Sequence, residues 1–303
     1  MAPEVSVVIR MKIDAVIATY NREDCIVDAV NSLLQYRINL GAIYVVINGS
    51  TDKTMERLAV FSDDEKVVLI ELDKNLGAPG GKNVGMRRSD ADVLVIIDDD
   101  AEFYSSEPIK IIDEIFSTNP TLGIIQFKIV NYTHKRIMSN EFPGSDADTQ
   151  GDMEFKIGSF TGAGHAIRKS MLERVGYYQD SFFYGHEELD LSFRAVQGGW
   201  SIWYKPSIGV YHKKNPGGRL PERDMIVNML LNRMVISRKY LPLRYRLVST
   251  VLWCSKVALW SRSITVPILA IREYLRQRPN IERLQLSSEA LNYMKLNYGR
   301  LWF

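Results

Sequence analysis

The residues best suited to chemistry are three aspartates that follow an apolar run. Asp98, Asp99 and Asp100 come directly after residues 93–97, VLVII. Three carboxylates at one strand end repel one another, so the group is costly unless a cation neutralises it. Alternate side chains of an extended segment share a face, which predicts that Asp98 and Asp100 converge while Asp99 points away. Such oxygen ligands suit Mg²⁺ or Mn²⁺, usually shared with phosphates. An acidic turn or helix cap is the alternative interpretation.

A second acidic group lies in the segment 182–200, FFYGHEELDLSFRAVQGGW. Glu187, Glu188 and Asp190 fall within the first turn of a predicted helix, where the helix dipole favours negative charge. The apolar and aromatic residues on both sides of this turn would bury it. Because crowding raises one pKa of a buried carboxylate pair, the group is suited to general-base chemistry. An exposed acidic helix N-terminus is the alternative.

A histidine and a glycine-rich segment complete the candidates. His212 follows an apolar strand whose end could face the aspartates, so it is either a third metal ligand or a structural histidine. Residues 75–86, NLGAPGGKNVGM, look at first like a phosphate-binding P-loop. That motif requires a glycine and a hydroxyl where this chain has Leu76 and Asn83. The glycines are also wrongly spaced for a dinucleotide-binding turn.

The elements that must position these residues follow from the apolar pattern. Runs rich in Val and Ile predict buried strands at 13–18, 42–47, 66–72 and 93–97, and the segments between them predict helices at 23–40, 52–62 and 80–89. This alternation indicates an α/β fold with a doubly wound, mostly parallel sheet. Ligands of such sheets bind beyond the carboxyl ends of the strands, and each predicted strand ends in polar residues there.

The rest of the chain has a less regular pattern. From about residue 120 we expect mixed strands and loops, with a polar, mobile loop at 144–152. From about 221, apolar and basic segments predict helices that are broken at Pro242, Pro267 and Pro279. Residues 5–10 are expected to form an extra strand or a disordered leader.

Composition limits the class of protein. A chain of 303 residues with 46% hydrophobic content can bury one large core, alone or with a smaller appendage. Two cysteines exclude a disulfide framework and suit a reducing compartment. The first residues do not have the pattern of a signal peptide. The apolar segment 247–260 is shorter than the roughly 20 residues that a membrane-spanning helix needs.

The net charge of +2 conceals a basic C-terminal part. From residue 213 to the end there are 17 Lys and Arg against 5 Asp and Glu, whereas the preceding residues hold 21 basic and 31 acidic groups. The apolar content of this part favours attraction to an anionic membrane surface over binding to nucleic acid. The alternatives are solvated helix faces, helices packed on the rest of the protein, or a homodimer interface.

These motifs together resemble those of family 2 glycosyltransferases with the GT-A fold. The resemblance covers residues 12–215 and rests on TYNR, NGSTDKT, NLGAPGGKNVGM, DDDA, FTGAGHAIRKSMLERVGYYQDSFF, HEELDL and YHKK, in the family's order and spacing. It is closest to the rhamnosyltransferase-like and galactofuranosyltransferase-like branch. It implies an inverting transferase that uses a nucleoside-diphosphate sugar and a divalent metal. In such enzymes the glycine-rich segment packs beneath the donor, because glycines let the backbone approach it closely.

Carried over by position, the resemblance implies three sets of site residues. The expected donor-binding residues are Thr19, Tyr20, Arg22, Asn48, Asp52, Asn75, Gly77, Lys82, Asn83, Asp98 and Asp99, with Asp52 as much a structural cap as a contact. The expected ligands of Mg²⁺ or Mn²⁺ are Asp98, Asp100 and His212. Glu188 matches the catalytic aspartate of the family's E-D-x-D-L pattern, with Glu187 and Asp190 beside it. Because a glutamate replaces that aspartate, the general base is either Glu188 or Glu187.

The resemblance also implies an organisation and a setting. Residues 1–220 would form the GT-A catalytic domain, with a donor half at about 12–105 and an acceptor half at about 106–220, and residues 221–303 a helical extension. We expect a hydroxyl acceptor, either a glycan or a lipid-linked glycan, in bacterial-type cell-surface glycan synthesis. The expected location is cytoplasmic or peripheral on the cytoplasmic face of the membrane. Ile47 departs from the aspartate that the family commonly uses near the base, so the nucleobase stays open. A nucleotidyltransferase and a non-catalytic nucleotide-sugar-binding protein are the competing functions.

Overall fold

The structure is a computed structural model that describes residues 10–302. The predicted strand or leader at 5–10 lies outside the described residues except for Arg10, which belongs to no helix or strand. Within 10–302 the chain forms nine strands. They are Ile13–Thr19 (β1), Ile43–Asn48 (β2), Val67–Leu72 (β3), Val93–Ile97 (β4), Ala101–Phe103 (β5), Leu122–Asn131 (β6), Phe155–Lys156 (β7), Gly164–Arg168 (β8) and Ser201–His212 (β9).

Eleven α-helices lie in the same described range. They are Ile26–Leu34 (α1), Thr54–Leu58 (α2), Gly77–Arg88 (α3), Pro108–Thr118 (α4), Ala147–Gln150 (α5), Lys169–Val175 (α6), Glu187–Gln197 (α7), Glu222–Tyr240 (α8), Leu243–Ser261 (α9), Thr265–Gln277 (α10) and Ser288–Leu296 (α11). Short 3₁₀ turns follow α2 and α10, at Ala59–Phe61 and Arg278–Asn280.

All the strands pair into one sheet with the order β3-β2-β1-β4-β8-β6-β9-β5, and β7 pairs with β9. The predicted parallel sheet is confirmed for β1 to β4, whose Val- and Ile-rich strands pair in parallel. Beyond β4 the sheet is mixed, because β8 runs antiparallel to both β4 and β6 while β9 runs parallel to β6. The long, continuously apolar strands of the first half are buried by helices on both faces, as parallel strands require.

Two hydrophobic cores lie on opposite faces of this sheet. Helices α1, α2 and α4 cover one face through residues such as Val30, Leu58 and Ile112. Helices α3, α6 and α7 cover the other face, together with residues of α8 and α11. The sheet is therefore held between two apolar layers, and its polar strand ends stay free to form a site.

Several predicted boundaries needed correction. Helix α1 is shorter than the predicted 23–40, because residues 35–39 form turns that lead into β2. Helix α3 begins at Gly77, three residues before the predicted start at 80. The predicted loop 144–152 contains the one-turn helix α5. Helix breaks occur near Pro242 and Pro279, as predicted, but Pro267 lies within the first turn of α10, where proline is compatible with a helix.

The C-terminal helices form a third apolar cluster among themselves. Residues of α8, α9 and α10, including Leu230, Trp253 and Ala270, are buried together. None of the helices within residues 10–302 combines the length and apolar character needed to cross a bilayer.

Candidate active site

The sheet brings the aspartates and the histidine together. Asp98, Asp99 and Asp100 lie between β4 and β5, and β5 pairs antiparallel with β9 so that Ala101 faces His212. The ligand atoms of Asp98, Asp100 and His212 consequently lie within 4.8 Å of one another. Asp99 points elsewhere and forms an ion pair with Arg22, with 3.2 Å between Oδ1 and Nε. The sequence predicted this divergence from an extended segment, but residues 98–101 form a turn in which the Ala101 N–H donates to the Asp98 carbonyl at 3.0 Å.

Glu141 orients the histidine. His212 Nε2 faces Asp100 Oδ1 at 3.2 Å, and its Nδ1 contacts the buried carboxylate of Glu141. Burial alone would lower the pKa of His212, but the hydrogen bonds with Asp100 and Glu141 outweigh it and raise the pKa to about 10. A divalent cation at Nε2 would therefore compete with a proton. Two hard carboxylate ligands and an imidazole held by a second carboxylate are a donor set that fits Mg²⁺ or Mn²⁺.

A cleft of about 310 Å³ opens above these residues, at the carboxyl ends of β1, β2 and β4. Thr19, Asn48 and Asp98 mark the three strand ends that form its floor. The loop after β9 lines another side of the cleft, and its Asn215 N–H donates to Asp100 Oδ2 at 2.7 Å. A polar cleft at this edge of an α/β sheet is the expected position for a small-molecule ligand.

The glycine-rich segment is a helix start that Asn48 holds in place. Asn48 donates to the carbonyl of Gly77 at 3.0 Å and accepts from the N–H of Leu76 at 2.9 Å. Gly77 has a φ of +78°, and a Cβ built there would lie 2.3 Å from the carbonyl oxygen of Phe183. Only glycine fits this close approach, because a side chain would meet backbone and would also disfavour the positive φ. The segment thus places the N-terminus of α3 against the cleft.

Lys82 connects the glycine-rich helix with the metal-ligand candidates. Its buried ammonium donates to Asp98 Oδ1 at 2.9 Å. Burial opposes the charge of both groups, but each stabilises the other. The pKa of Lys82 is therefore raised, and the pKa of Asp98 is lowered to about 2. The ion pair of Lys82 and Asp98 is therefore fixed at the cleft, where a bound anion would lie next to it.

Two glutamates lie behind Lys82 at the start of α7. A Cβ built on Gly162 would lie 2.4 Å from Glu188 Oε1 and 3.5 Å from Lys82 Nζ, so the carboxylate and the ammonium meet at this glycine. Burial raises the pKa of both Glu187 and Glu188, and for Glu188 the neighbouring Glu187 carboxylate raises it further. A carboxylate with a raised pKa is a stronger base than an ordinary glutamate, which suits proton abstraction.

Residues 14–176, more than half of the chain, match the model described as Glycosyl transferase family 2. The chain belongs to glycosyl transferase family 2.

Curated relatives of this family 2 chain cover it only in part. An uncharacterized protein of Haemophilus influenzae is 30% identical over 104 residues, which are 34% of this chain and 56% of that protein. Poly-beta-1,6-N-acetyl-D-glucosamine synthase of Staphylococcus aureus is 22% identical over 211 residues, 67% of this chain and 50% of the synthase. The chain spans about half the length of the curated relatives it matches.

A solved structure confirms the fold. GalNAc-T7, determined with UDP, GalNAc and Mn²⁺, superposes with a TM-score of 0.62 at 14% identity, over 89% of this chain and 58% of GalNAc-T7. At this level of identity the similarity establishes the fold, and the predicted GT-A architecture with helices around a central sheet is confirmed.

Most of the predicted site residues of this family 2 chain meet in the cleft. Those that line it are Thr19, Tyr20, Arg22, Asn48, Asn75, Gly77, Lys82, Asp98, Asp99, Asp100 and His212. Glu187 and Glu188 are not in its lining and lie behind Lys82, as described above.

Three predicted residues lie away from the cleft. Asp52 accepts from the N–H groups of Thr54 and Glu23, so it caps the start of α2. Asn83 bonds the backbone of Tyr178 through both its amide atoms. The third, Asp190, has its own partners in the core. The hydrogen-bonding atoms of Asp52 and Asn83 are thus engaged with the protein backbone, and their donor-binding roles stay a prediction.

Asp190 of the family 2 chain lies in the core, where it has partners on α7 and α8. Its carboxylate is buried and pairs with Arg194 at 2.7 Å. It also accepts from the hydroxyl of Tyr240 in α8 at 2.7 Å. On a helix the side chain at 190 points away from that at 188 by about 200°, so the two carboxylates face different surroundings.

Sequence reasoning missed several residues that line the cleft. Glu141, Lys214 and Arg219 contribute charged groups to it. Lys214 could have been found, because it stands two residues after His212 in YHKK. Glu141 follows no motif and lies 71 residues from the histidine it contacts, so only the fold reveals it.

Proposed function

We propose that this family 2 chain is an inverting, metal-dependent glycosyltransferase. It would move one sugar from a nucleoside-diphosphate sugar to a hydroxyl acceptor. The observation that carries the proposal is the convergence of Asp98, Asp100 and His212 in the cleft, with the half-buried Glu188 next to Lys82 just behind the cleft lining. Asp98, Asp100 and His212 suit a metal ion bound to a diphosphate, and Glu188 suits a general base. A direct displacement requires both.

The chain's own residues account for binding and proton transfer. Thr19, Arg22 and Asn75 line the donor side of the cleft, and Lys82 supplies a positive charge for the diphosphate. The acceptor oxygen attacks the anomeric carbon, the bond from that carbon to the diphosphate breaks, and Glu188 takes the proton of the hydroxyl. General-base assistance of this kind contributes a factor of about 10²–10⁴ in rate.

Asp98, Asp100 and His212 would hold Mg²⁺ or Mn²⁺, and Glu141 would orient His212 toward it. When bound, the ion neutralises the charge that develops on the leaving diphosphate. The presence of Mn²⁺ in the GalNAc-T7 structure supports this assignment.

The finer assignments extend the same proposal. The sequence motifs favour the rhamnosyltransferase-like and galactofuranosyltransferase-like branch. Residues 197–200, QGGW, differ from the Q-x-x-R-W of processive synthases, which favours a single addition. The synthase relative supports a role in polysaccharide formation. We assign residues 1–220 to the catalytic domain and 221–303 to the extension. The acceptor is a glycan or a lipid-linked glycan, and the protein works at the cytoplasmic face of a membrane.

The proposal is tested by comparing Glu188→Gln with Glu187→Gln. The wild-type protein, incubated with Mn²⁺ and a panel of nucleotide sugars and acceptors, is expected to release nucleoside diphosphate with one donor and to form a glycosylated product. Glu188→Gln should lower turnover by about 10²–10⁴ while donor affinity is retained, because amide and carboxyl are similar in size. Glu187→Gln is the matched control and should retain more activity.

The outcomes separate the alternatives. Near-normal turnover of Glu188→Gln would refute the base assignment, and a larger loss in Glu187→Gln would move the role to Glu187. Donor binding with no turnover under any condition would support a non-catalytic nucleotide-sugar-binding protein. Release of pyrophosphate in place of nucleoside diphosphate would support a nucleotidyltransferase.

A further inference from the structure

Helix α9 exposes an apolar face that none of the described residues covers. Its inner side buries Trp253 and Val257 against α8 and α10, and Tyr245 in the core that α7 and α11 share. Its outer side carries exposed apolar residues, namely Leu243, Leu247, Val248, Val251, Leu252 and Leu259. Soluble proteins rarely expose so many large apolar side chains on one helix, so this side of α9 is a candidate interaction site.

The same surface continues through the turn after α9 and along α10. Ile264, in the turn, is 74% exposed, and Ile268 and Leu275 are exposed on α10. We call this continuous surface, from Leu243 to Leu275, the α9–α10 face. Large exposed apolar side chains concentrate on it, whereas elsewhere among residues 10–302 they are more scattered, as single ones normally are on a soluble surface.

Basic residues accompany the apolar ones. Arg244 and Arg262 stand at the two ends of α9 and Arg272 lies on the outer side of α10, all three exposed. The acidic group on the same helix, Glu273, is paired with Arg276. The face therefore combines an apolar surface with a positive border, in a part of the chain with 17 basic and 5 acidic residues.

This charge pattern distinguishes between two occupants. In a symmetric dimer the face would meet its own copy, and the arginines of the two copies would approach one another. An anionic bilayer offers acyl chains for the leucines and negatively charged headgroups for the arginines. The charges therefore favour the bilayer over a second copy.

We propose that the α9–α10 face docks on the surface of an anionic lipid bilayer, with the two helices lying in the interface. The proposal deepens the membrane location proposed above and rests on it, but it does not depend on the transfer chemistry. Helix α8 links the face to the cleft. Leu220, two residues before α8, lines the cleft, and Asn232 of α8 donates to the carbonyls of Tyr184 and Gly185 just before α7. A docked protein would thus hold its cleft near acceptors anchored in the same bilayer.

The test is co-sedimentation of the full chain with phosphatidylcholine vesicles, with and without phosphatidylglycerol. We expect binding to the vesicles that contain phosphatidylglycerol, weakened by salt. The double variant Val251→Glu/Leu259→Glu should bind at least tenfold more weakly, because it places charge where acyl chains would lie. Ile38→Glu is the matched control, since Ile38 is 92% exposed in the turn after α1 and its replacement should leave binding unchanged.

A second variant tests the electrostatic part. Arg244→Glu/Arg262→Glu should lower binding by at least about fivefold for each arginine removed, since a basic residue at an anionic surface contributes about 1 kcal/mol. Unfolding midpoints in urea confirm that each variant is folded. Wild-type protein that stays in solution with phosphatidylglycerol vesicles overturns the proposal, as does unchanged binding of the Val251→Glu/Leu259→Glu variant. A dimer in sedimentation velocity that this variant dissociates, without vesicle binding, assigns the face to a second copy.

Discussion

Asp98 and Asp99 are adjacent in the chain, yet their carboxyl groups have opposite electrostatic surroundings. Burial raises the pKa of Asp99 to about 7, with Arg22 opposing it and the carboxylates of Asp100 and Asp98 adding to it. At Asp98 the ammonium of Lys82 outweighs burial and lowers the pKa to about 2. The turn after β4 thus separates two neighbouring carboxyl groups whose pKa values are shifted in opposite directions.

At the same scale, Glu141 is predicted to position the metal ligand His212. Glu141→Gln should weaken Mn²⁺ binding in the presence of a nucleoside diphosphate by about 10–100-fold, because His212 loses the carboxylate that fixes its ring. Mn²⁺ titration followed by electron paramagnetic resonance measures this directly. Glu154→Gln is the control, because Glu154 is a carboxylate that contacts the buried Lys205 but lies outside the cleft lining. Equal Mn²⁺ affinity of both variants would leave Glu141 with no positioning role.

Single residues also show how far the sequence leads. Asp98, Asp100 and His212 could be predicted to converge, because each follows an apolar run and the carboxyl ends of strands share an edge of the sheet. The hydrogen bonds that Asn83 and Asp190 form with other parts of the protein could not, because a motif gives the type of residue at a position and not the direction of its side chain. The contact between Glu141 and His212 depends on the path of a loop, which has no periodicity to read.

At the scale of elements, helix α3 shows why the glycine-rich segment differs from a P-loop. Its first residue approaches Phe183, just ahead of α7, so the donor side and the acidic pair are held together through backbone contacts. The resemblance predicted that these glycines let the backbone approach a bound ligand closely. The structure adds that Gly77 approaches the protein's own backbone.

This contact predicts a difference between two glycines with the same backbone conformation. Gly77→Ala and Gly199→Ala both place alanine at positive φ, at +78° and +82°, but a Cβ at Gly199 meets nothing within 4 Å. Gly199→Ala should cost about 1 kcal/mol of unfolding free energy. Gly77→Ala should cost about 1–3 kcal/mol more, because Phe183 must move. Urea unfolding measures both, and equal losses would show that the approach to Phe183 is readily relieved.

At the scale of the whole molecule, helices α8 and α11 of the proposed C-terminal extension share a core with α7 of the proposed catalytic domain. Tyr240 of α8 and Met294 of α11 are buried in the same cluster as Leu189 and Phe193 of α7. Composition correctly indicated that the C-terminal part is basic and apolar. Amino-acid composition cannot show which of two apolar sides of a helix faces the protein, so the burial of α8 and the exposure of α9 emerge only from the fold.

The shared core predicts that the extension and the catalytic part unfold together. Tyr240→Ala should lower the unfolding free energy by about 3–5 kcal/mol, because it removes an aromatic ring packed on Phe193 and the hydroxyl partner of Asp190. Leu259→Ala, in the same extension but 80% exposed, should change it by less than about 0.5 kcal/mol. Urea unfolding followed by tryptophan fluorescence and circular dichroism provides the readout. Two separate transitions, with only one shifted by Tyr240→Ala, would show that the extension is an independent unit.

Asp98, Asp100 and His212 are predicted to hold a divalent ion together with a diphosphate. Calorimetric titration of the wild-type protein with UDP and with GDP, each with and without Mn²⁺, tests this most directly, with Asp100→Ala as the comparison. We predict saturable binding of one of the two nucleotides when Mn²⁺ is present, at least tenfold weaker without the ion and in Asp100→Ala. Binding that is indifferent to Mn²⁺ and to the substitution, or no binding of either nucleotide, would contradict the account.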